Sequence, residues 1–516
     1  MYKNLLWCTG IFCVSLIVFS ITLAPSIYWE DSAAFVTAAN ILGIPHSPSF
    51  PIYVMWGRLF TLLPIDNFAW PVHLMSAFWG SLSLVMVFIL TLKLFKREDD
   101  RQPSIDSNLI ATALTLFFGF SLSFWSQTFR AEVYTLNLFF TLCLIWLIVK
   151  WGEQVNESSG DALKYFLAFA FIWGLSACNH SLLVFGLAPA FLIFVLLTDF
   201  RFILRLRNIL FSVFFGILGF SGYLFLLIRS QQNPALNWAR PESWGNLWKV
   251  ITKSDQLRES LNFSQLNMGQ NLLQIFNFIL SDIFLPVALA AMLGAFALYK
   301  SKPKLLALFT GVLAGNILVV SWAADFSVRN LDLLGYLLPG LFALTSFATV
   351  GVHNLWKTFL EWLDKAELRT AGKFSPLFAA LLLILPLAQI NKNFKSCDKS
   401  RHYITYQYGI EMLNRLPKGA VIATSEDNTL LPIWYLTMVE KYRTDVTAVP
   451  WQAVESVDYL KTLKFSRPEL NVPAKLINHR WLDRFARLNP GVPVYLQFVE
   501  LPDGESKLVP EGFFLK

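Results

Sequence analysis

Eleven apolar segments, each close to the length of a bilayer-spanning helix, occupy most of the first 391 residues. They lie near 5–25, 71–95, 109–128, 133–150, 163–178, 181–199, 208–228, 281–299, 305–323, 334–353 and 375–391. A hydrocarbon core about 30 Å thick takes roughly 20 residues of helix. No water is available there for backbone polar groups, so a chain with this pattern folds as a helical bundle. Composition agrees: 55% of the residues are hydrophobic and 15% charged, against about 25% charged in soluble domains. The eighth segment reads equally well with a start nearer 272. The first resembles a signal peptide, with Lys3 ahead of it and Thr22-Leu23-Ala24 at its end. Its apolar run exceeds the usual 7–15 residues of such a peptide, so it is taken as a helix.

Charge in the connections sets the expected orientation. With the N-terminus inside, the inner connections carry 17 Lys and Arg and the outer ones eight, although the outer ones are longer in total. That bias is the mark of a cytoplasmic inner side, and an odd number of spans then puts the C-terminus outside. A bacterial inner membrane is the expected setting. The net charge of +7 does not point to nucleic acid, because the tail after residue 392 balances 16 basic against 14 acidic residues. Five cysteines with no metal-like spacing give no disulfide framework or cysteine metal site.

The expected outer connections hold the chemistry. The first, 26–70, contains Glu30-Asp31-Ser32 and the run Leu42 to Pro51 with His46. The second holds Arg130 and Glu132, followed by Tyr134; the third turn has Asn179-His180. The long connection 229–280 opens at Arg229 and includes Asn233, Asn237 and Trp238, and a further cluster runs from Asp325 to Asp332 with Arg329. Topology alone brings these groups to one membrane face, where ionisable residues are costly unless paired or functional. Singly, each has a plainer explanation: arginines reaching headgroups, a solvated helix cap at Glu30-Asp31, a structural Arg130–Glu132 pair, interfacial hydrogen bonds from the histidines. Together they suit glycosyl transfer from a lipid phosphate. A carboxylate can take the acceptor proton, and arginine can meet the phosphate. The same inventory could bind and move an anionic solute, so residue chemistry leaves both open.

After residue 392 the composition shifts. Strands at 420–424, 445–449 and 493–499, with helices at 429–441, 455–463 and 476–488, read as a small α/β domain, 393–516. Ser425-Glu426-Asp427-Asn428 follows the first strand, where open sheets place ligands, and also reads as a helix cap.

Several blocks resemble one membrane family. Glu30-Asp31-Ser32 with Leu42-Gly43-Ile44-Pro45-His46-Ser47-Pro48-Ser49-Phe50-Pro51 is similar to its Asp-Ser-Gly-Glu and Leu-Gly-Ile-x-His-Pro-Pro-Gly-Tyr-Pro signature. Trp125-Ser126-Gln127 with Ala131 to Asn137, Gly174 to His180, and Arg229 to Trp238 resemble three further blocks. Asp427 to Asp445 resembles its C-terminal region. The family, once catalogued only as a domain of unknown function, is related to protein O-mannosyltransferases of the GT-C superfamily and includes a eukaryotic endoplasmic-reticulum O-mannosyltransferase. The resemblance implies a polytopic α-helical GT-C-like fold of about 11 transmembrane helices over 1–392. It also implies a polyprenyl-phosphate-linked hexose donor, most often mannose, and a protein or glycan hydroxyl acceptor, with membrane lipid as the surrounding partner. Carried over, Asp31 is the base, with Glu30 and Glu132 as further catalytic carboxylates. His46, Arg130, His180, Arg229 and Arg329 would contact donor phosphate, and Tyr134, Asn179, Asn233, Asn237 and Trp238 the substrates. Displacement would be single and inverting. No metal ligand is assigned, and a divalent-cation cofactor is left open. Two departures stand out: Ala33-Ala34 replaces the family's Gly-Glu, and Ser49 replaces a glycine, which implies a changed loop. A transporter or flippase for lipid-linked sugars, and a catalytically inactive glycan-binding relative, are the alternatives.

Overall fold

The computed structural model describes residues 2–95, 104–157, 161–252, 267–323, 325–365, 371–453, 456–473, 481–497, 510–511 and 514–515. Every apolar segment carries a helix: Tyr2–Ile21, Trp70–Phe95, Ile105–Gly119, Tyr134–Asn156, Ala162–Gly186, Ala188–Leu204, Leu206–Phe220 with Leu224–Gln231, Leu285–Ser301, Pro303–Ala323, Leu338–Lys365 and Ala371–Cys397. Six helices among the described residues are long and apolar enough to cross a bilayer unaided, or seven if the bent pair Met268–Ile283 and Leu285–Ser301 counts as one. The chain is therefore a multi-pass helical membrane protein, while length and apolarity alone do not return the count of eleven.

Three segments depart from the pattern read in the sequence. The third helix stops at Gly119 rather than 128, because Ser121 accepts a hydrogen bond from the Phe124 N–H and starts a new short helix, Leu122–Trp125. The eighth region is two helices bent by 101° at Phe284, whose φ is 60°. Apolar periodicity continues through such a break, so the bend is invisible to it. The first outer connection is not an open loop: Asp31–Ile41 and Pro51–Phe60 are helices packed on each other and on the bundle.

Glycines let two helix pairs close. A Cβ on Gly174 or Gly219 would strike the facing backbone between Ala162–Gly186 and Leu206–Phe220, and one on Gly294 or Gly351 would do so between Leu285–Ser301 and Leu338–Lys365. Close backbone approach through small residues is how helices associate in lipid, where the hydrophobic effect gives no drive.

The two ends of the bundle sort as alternating spans require. At one end, Lys93 and Lys150 both pair with Glu153, Lys302 donates to the carbonyls of Lys93 and Leu94, and Trp356 Nε1 donates to Asp106. At the other, the segments around 30, 130 and 332 meet. Lys96, Arg97, Arg101, Lys253, Arg258 and Arg369, used in the charge count, lie outside the described residues.

Ala371–Cys397 runs past the compositional boundary at 392 into the tail. There β1 (Val421–Thr424) lies parallel to β2 (Thr447–Pro450) and β3 (Val494–Gln497), and β4 (Pro510–Glu511) and β5 (Phe514–Leu515) extend the sheet in the order β2-β1-β3-β5-β4. All four residues of β1 are buried, as a central parallel strand demands. Helices Asp427–Met438, Val457–Ser466 and Trp481–Leu488 match expected positions, with 476–480 outside the described residues. Ile404–Arg415 is a further helix that the sequence pattern missed.

Candidate active site

Asp31 opens the helix Asp31–Ile41, preceded by Glu30 at φ 60°. A non-glycine residue there is strained and needs fixing by its surroundings. The Glu30 N–H donates to Asn428 Oδ1 at 2.9 Å, and Ser32 Oγ accepts from the Ala131 N–H at 3.1 Å. Thus the first outer segment is stitched to the second and to the α/β layer. Asp31 Oδ2 lies 3.4 Å from His46 Nε2, their side chains 32% and 27% exposed, so this pair faces the mouth of the site.

Behind it stands Arg130, with no exposed surface. Its Nη1 is 3.2 Å from Glu30 Oε2 and 3.2 Å from Glu132 Oε1, and its Nη2 is 2.6 Å from Asp332 Oδ1. Burial alone would lower its pKa, but Glu132, Asp332 and Glu30 together raise it, so Arg130 stays charged. Burial pushes the Glu132 carboxyl well above the ordinary carboxylate range, reinforced by Asp332 and opposed by Arg130. Both Glu132 oxygens are buried without a hydrogen-bond donor. Glu30 is raised for the same reasons: burial first, then Asp332. One guanidinium cannot neutralise three carboxylates, so the charged form of Glu132 is disfavoured.

The loop carrying Arg130 is built from behind. Ser76 Oγ accepts from the Glu132 N–H, Asn179 Nδ2 donates to the Val133 carbonyl, and Gln127 Nε2 donates to the Leu331 carbonyl. The helix Ala162–Gly186 breaks at His180 (φ −152°, ψ 87°), which turns the ring into an aromatic box. Its centroid lies 5.1 Å from Tyr336, 5.9 Å from Tyr134 and 6.0 Å from Phe50, and Phe50 also contacts His46 at 5.4 Å. The two histidines thus flank one phenylalanine.

The structure gives several of the expected site residues partners of their own. Glu132, 1% exposed, does not face the mouth and acts on Arg130 rather than on a hydroxyl there. Arg130 is wholly enclosed and committed to carboxylates, so its fork is not offered to a phosphate. Arg229 is a brace: Nε donates to the Leu42 carbonyl, Nη2 to that of Ile41 and Nη1 to Gln232, which ties down the end of the helix Asp31–Ile41. Asn237 and Trp238 brace the same loop, through a parallel bridge of Asn237 with Ile44 and the Trp238 N–H on the Ile44 carbonyl. Asn233 accepts from Arg240, away from Asp31. Arg329 is exposed on the loop before Leu331–Tyr336, outside the Arg130 cluster. At the position of the missing glycine, Ser49 takes the left-handed conformation at φ 68° and its hydroxyl donates to the Pro45 carbonyl. Ala34 is 3% exposed, so a carboxylate there would be buried.

Two further contributors were not assigned to this site by the sequence reading. Asp332 was one charge among several from Asp325 onward, and only its pairing with Arg130 singles it out. Asp427, which reads as a cap, begins the helix Asp427–Met438 within electrostatic reach of Asp31 and His46. Burial first, then Asp31, raises its pKa. Among the described residues no group of three or more His, Cys, Asp or Glu is placed to hold a metal ion.

Residues 31–203 match the family described as protein O-mannosyl-transferase TMEM260, N-terminal domain. The mouse protein O-mannosyl-transferase TMEM260 is 26% identical over 88% of this chain and 64% of its own length. In sequence this chain is similar to proteins named protein O-mannosyl-transferase. The Dictyostelium discoideum protein of that name is 24% identical over 83% of this chain and 55% of its own, so the chain spans between about half and two thirds of these relatives. In fold, it is similar to apo ArnT from Cupriavidus metallidurans, with a TM-score of 0.55 and 13% identity, over 95% of this chain and 92% of that one.

Proposed function

We propose that this chain is a GT-C-type glycosyltransferase. It moves a hexose, mannose by family likeness, from a polyprenyl-phosphate-linked donor to a hydroxyl of an exported protein. The observation that carries the reading is the Asp31–His46 pair, about a third exposed, beside an Arg130 that is fully enclosed among carboxylates. Asp31 accepts the acceptor's hydroxyl proton as that oxygen attacks the anomeric carbon. The bond from that carbon to the phosphate oxygen breaks, the lipid phosphate leaves with the electron pair, and configuration inverts. His46, once protonated by solvent, supplies positive charge at the same end. Carboxylates crowd Arg130, so an anionic phosphate is disfavoured on that side. The histidine side, between His46 and His180 across Phe50, is the place for it. The mouth faces the extracytoplasmic compartment in this reading, in keeping with the charge bias of the connections.

The test is transfer of radiolabelled mannose from polyprenyl-phosphate mannose to serine- and threonine-containing peptides by the purified chain, beside Asp31→Asn. Loss of a general base removes roughly 10²–10⁴-fold of rate. Transfer lost at that scale, with folding and donor binding kept, is the expected result. Equal transfer by both chains would remove Asp31 from the chemistry, and absence of donor binding would overturn the reading.

A further inference from the structure

The helix Asp427–Met438 touches two places at once. Its first turn meets the active-site mouth: Asn428 receives the Glu30 N–H, and Asp427 senses Asp31 and His46. Its last turns, with Trp434, Thr437 and Met438, line a cavity of about 230 Å³ that the mechanism above does not use. The opposite wall is Leu236–Trp238, the segment hooked onto Ile44, two residues before His46. Trp238 and Trp434 meet edge to face at 5.4 Å, and Tyr459 and Leu463 close the floor while Lys441 and Thr444 stand exposed at the rim. Edge-to-face indoles with an apolar floor and polar rim favour an aromatic or large apolar group. The neighbouring sheet edge is not open to an added strand. Ala448 and Val446, on and beside β2, give their carbonyls to Trp434 Nε1 and Arg467 Nη2, so the cavity recognises a side chain rather than a backbone.

Helical rise puts Trp434 and Met438 about 10–16 Å along the axis from Asp427. An extended polypeptide covers that span in about three to five residues. Resting on the proposal that the acceptor is a protein hydroxyl, we infer that this cavity is an acceptor subsite. It holds an aromatic or large apolar side chain about three to five residues from the modified serine or threonine.

Two measurements test this. Peptides carrying one acceptor threonine in a Gly/Ala background receive a phenylalanine at each offset from one to seven on either side, and KM and kcat for transfer are measured. An offset of three to five should lower KM about tenfold relative to the all-alanine peptide with kcat unchanged. Thr444→Trp, which fills the rim, should abolish that gain while leaving the alanine peptide untouched. Separately, the chain carrying Asp31→Asn is photo-crosslinked without donor to a peptide bearing benzoylphenylalanine at the preferred offset, and label is expected on Trp434, Met438 or Trp238. Transfer with no offset preference, or crosslinks elsewhere, overturns the subsite. Crosslinking at the cavity without transfer to any peptide upholds the subsite and counts against the proposed chemistry instead.

Discussion

Replacing Arg130 by methionine is the most informative perturbation of the buried cluster. The side chain is fully enclosed and touches Glu30, Glu132 and Asp332. Removing one partner of a buried ion pair costs about 3–5 kcal/mol, because the other charge is stranded. Glu30 is more than one third exposed and contributes little to that figure. The cost falls on Glu132 and Asp332, with exposures of 1% and 19%. At roughly 2–4 °C per kcal/mol for chains of 150–250 residues, and less for longer ones, Arg130→Met should melt about 5–10 °C lower in detergent. The melt can be followed by thiol-reactive dye, since Cys178 and Cys397 are buried in the fold. Without the guanidinium the carboxyls hold protons more tightly folded than unfolded, so the deficit should grow from pH 5 to pH 8. Removing Glu132 as well should restore part of the loss, because one of the two stranded carboxylates is then gone while Asp332 remains. An unchanged melting point in Arg130→Met, or a double variant no better than the sum of the singles, would refute the reasoning.

Other outcomes follow from the same geometry. Arg229→Met should cost about 1.5–3 kcal/mol through its lost charged hydrogen bonds and lower kcat by loosening the Asp31 helix. Donor KM should hold, whereas a phosphate ligand would raise it; steady-state kinetics separates the two. In the native chain, burial raises Glu30 and Glu132 above 4.5, so the folded state binds more protons and stability falls as pH rises through the window above that value. Glu132→Gln should flatten this dependence in melts across pH 4 to 8. Ser49→Gly should be neutral or stabilise by up to about 1 kcal/mol, because Ser49 sits at positive φ, whereas Ser49→Val should destabilise by more than 1 kcal/mol; thermal melts compare them.

The bundle was readable because apolar length is a property of composition, and lipid leaves the backbone few choices. Breaks were less so. Phe284 bends the eighth region by 101° without interrupting its apolar run, and Gly119 ends the third helix because Ser121 caps the next, nine residues before the apolar signal fades. Within the site, Asp31, His46 and Arg130 stood out as charges where charge is costly. What each touches depends on tertiary contacts. Arg229 and Arg130 are the same residue type on the same face, yet one holds backbone carbonyls and the other carboxylates. Asp332 could not be separated from Asp325 without its partner. Asp427 looked like a cap because it does begin a helix, and only the packing of that helix against Asp31–Ile41 brings it to the mouth.

The hydrogen bond from Glu30 to Asn428 joins residues 398 positions apart, which gives the protein a built-in order of assembly. A ribosome has made the whole helical bundle before Asn428 exists, and the backbone N–H of the strained turn at Glu30 lacks this acceptor until the tail has folded beside it. A chain interrupted before Asn428 therefore lacks the acceptor of the Glu30 N–H hydrogen bond. In the proposed reading, catalytic competence arrives only once the segment carrying Asn428 has been made and folded.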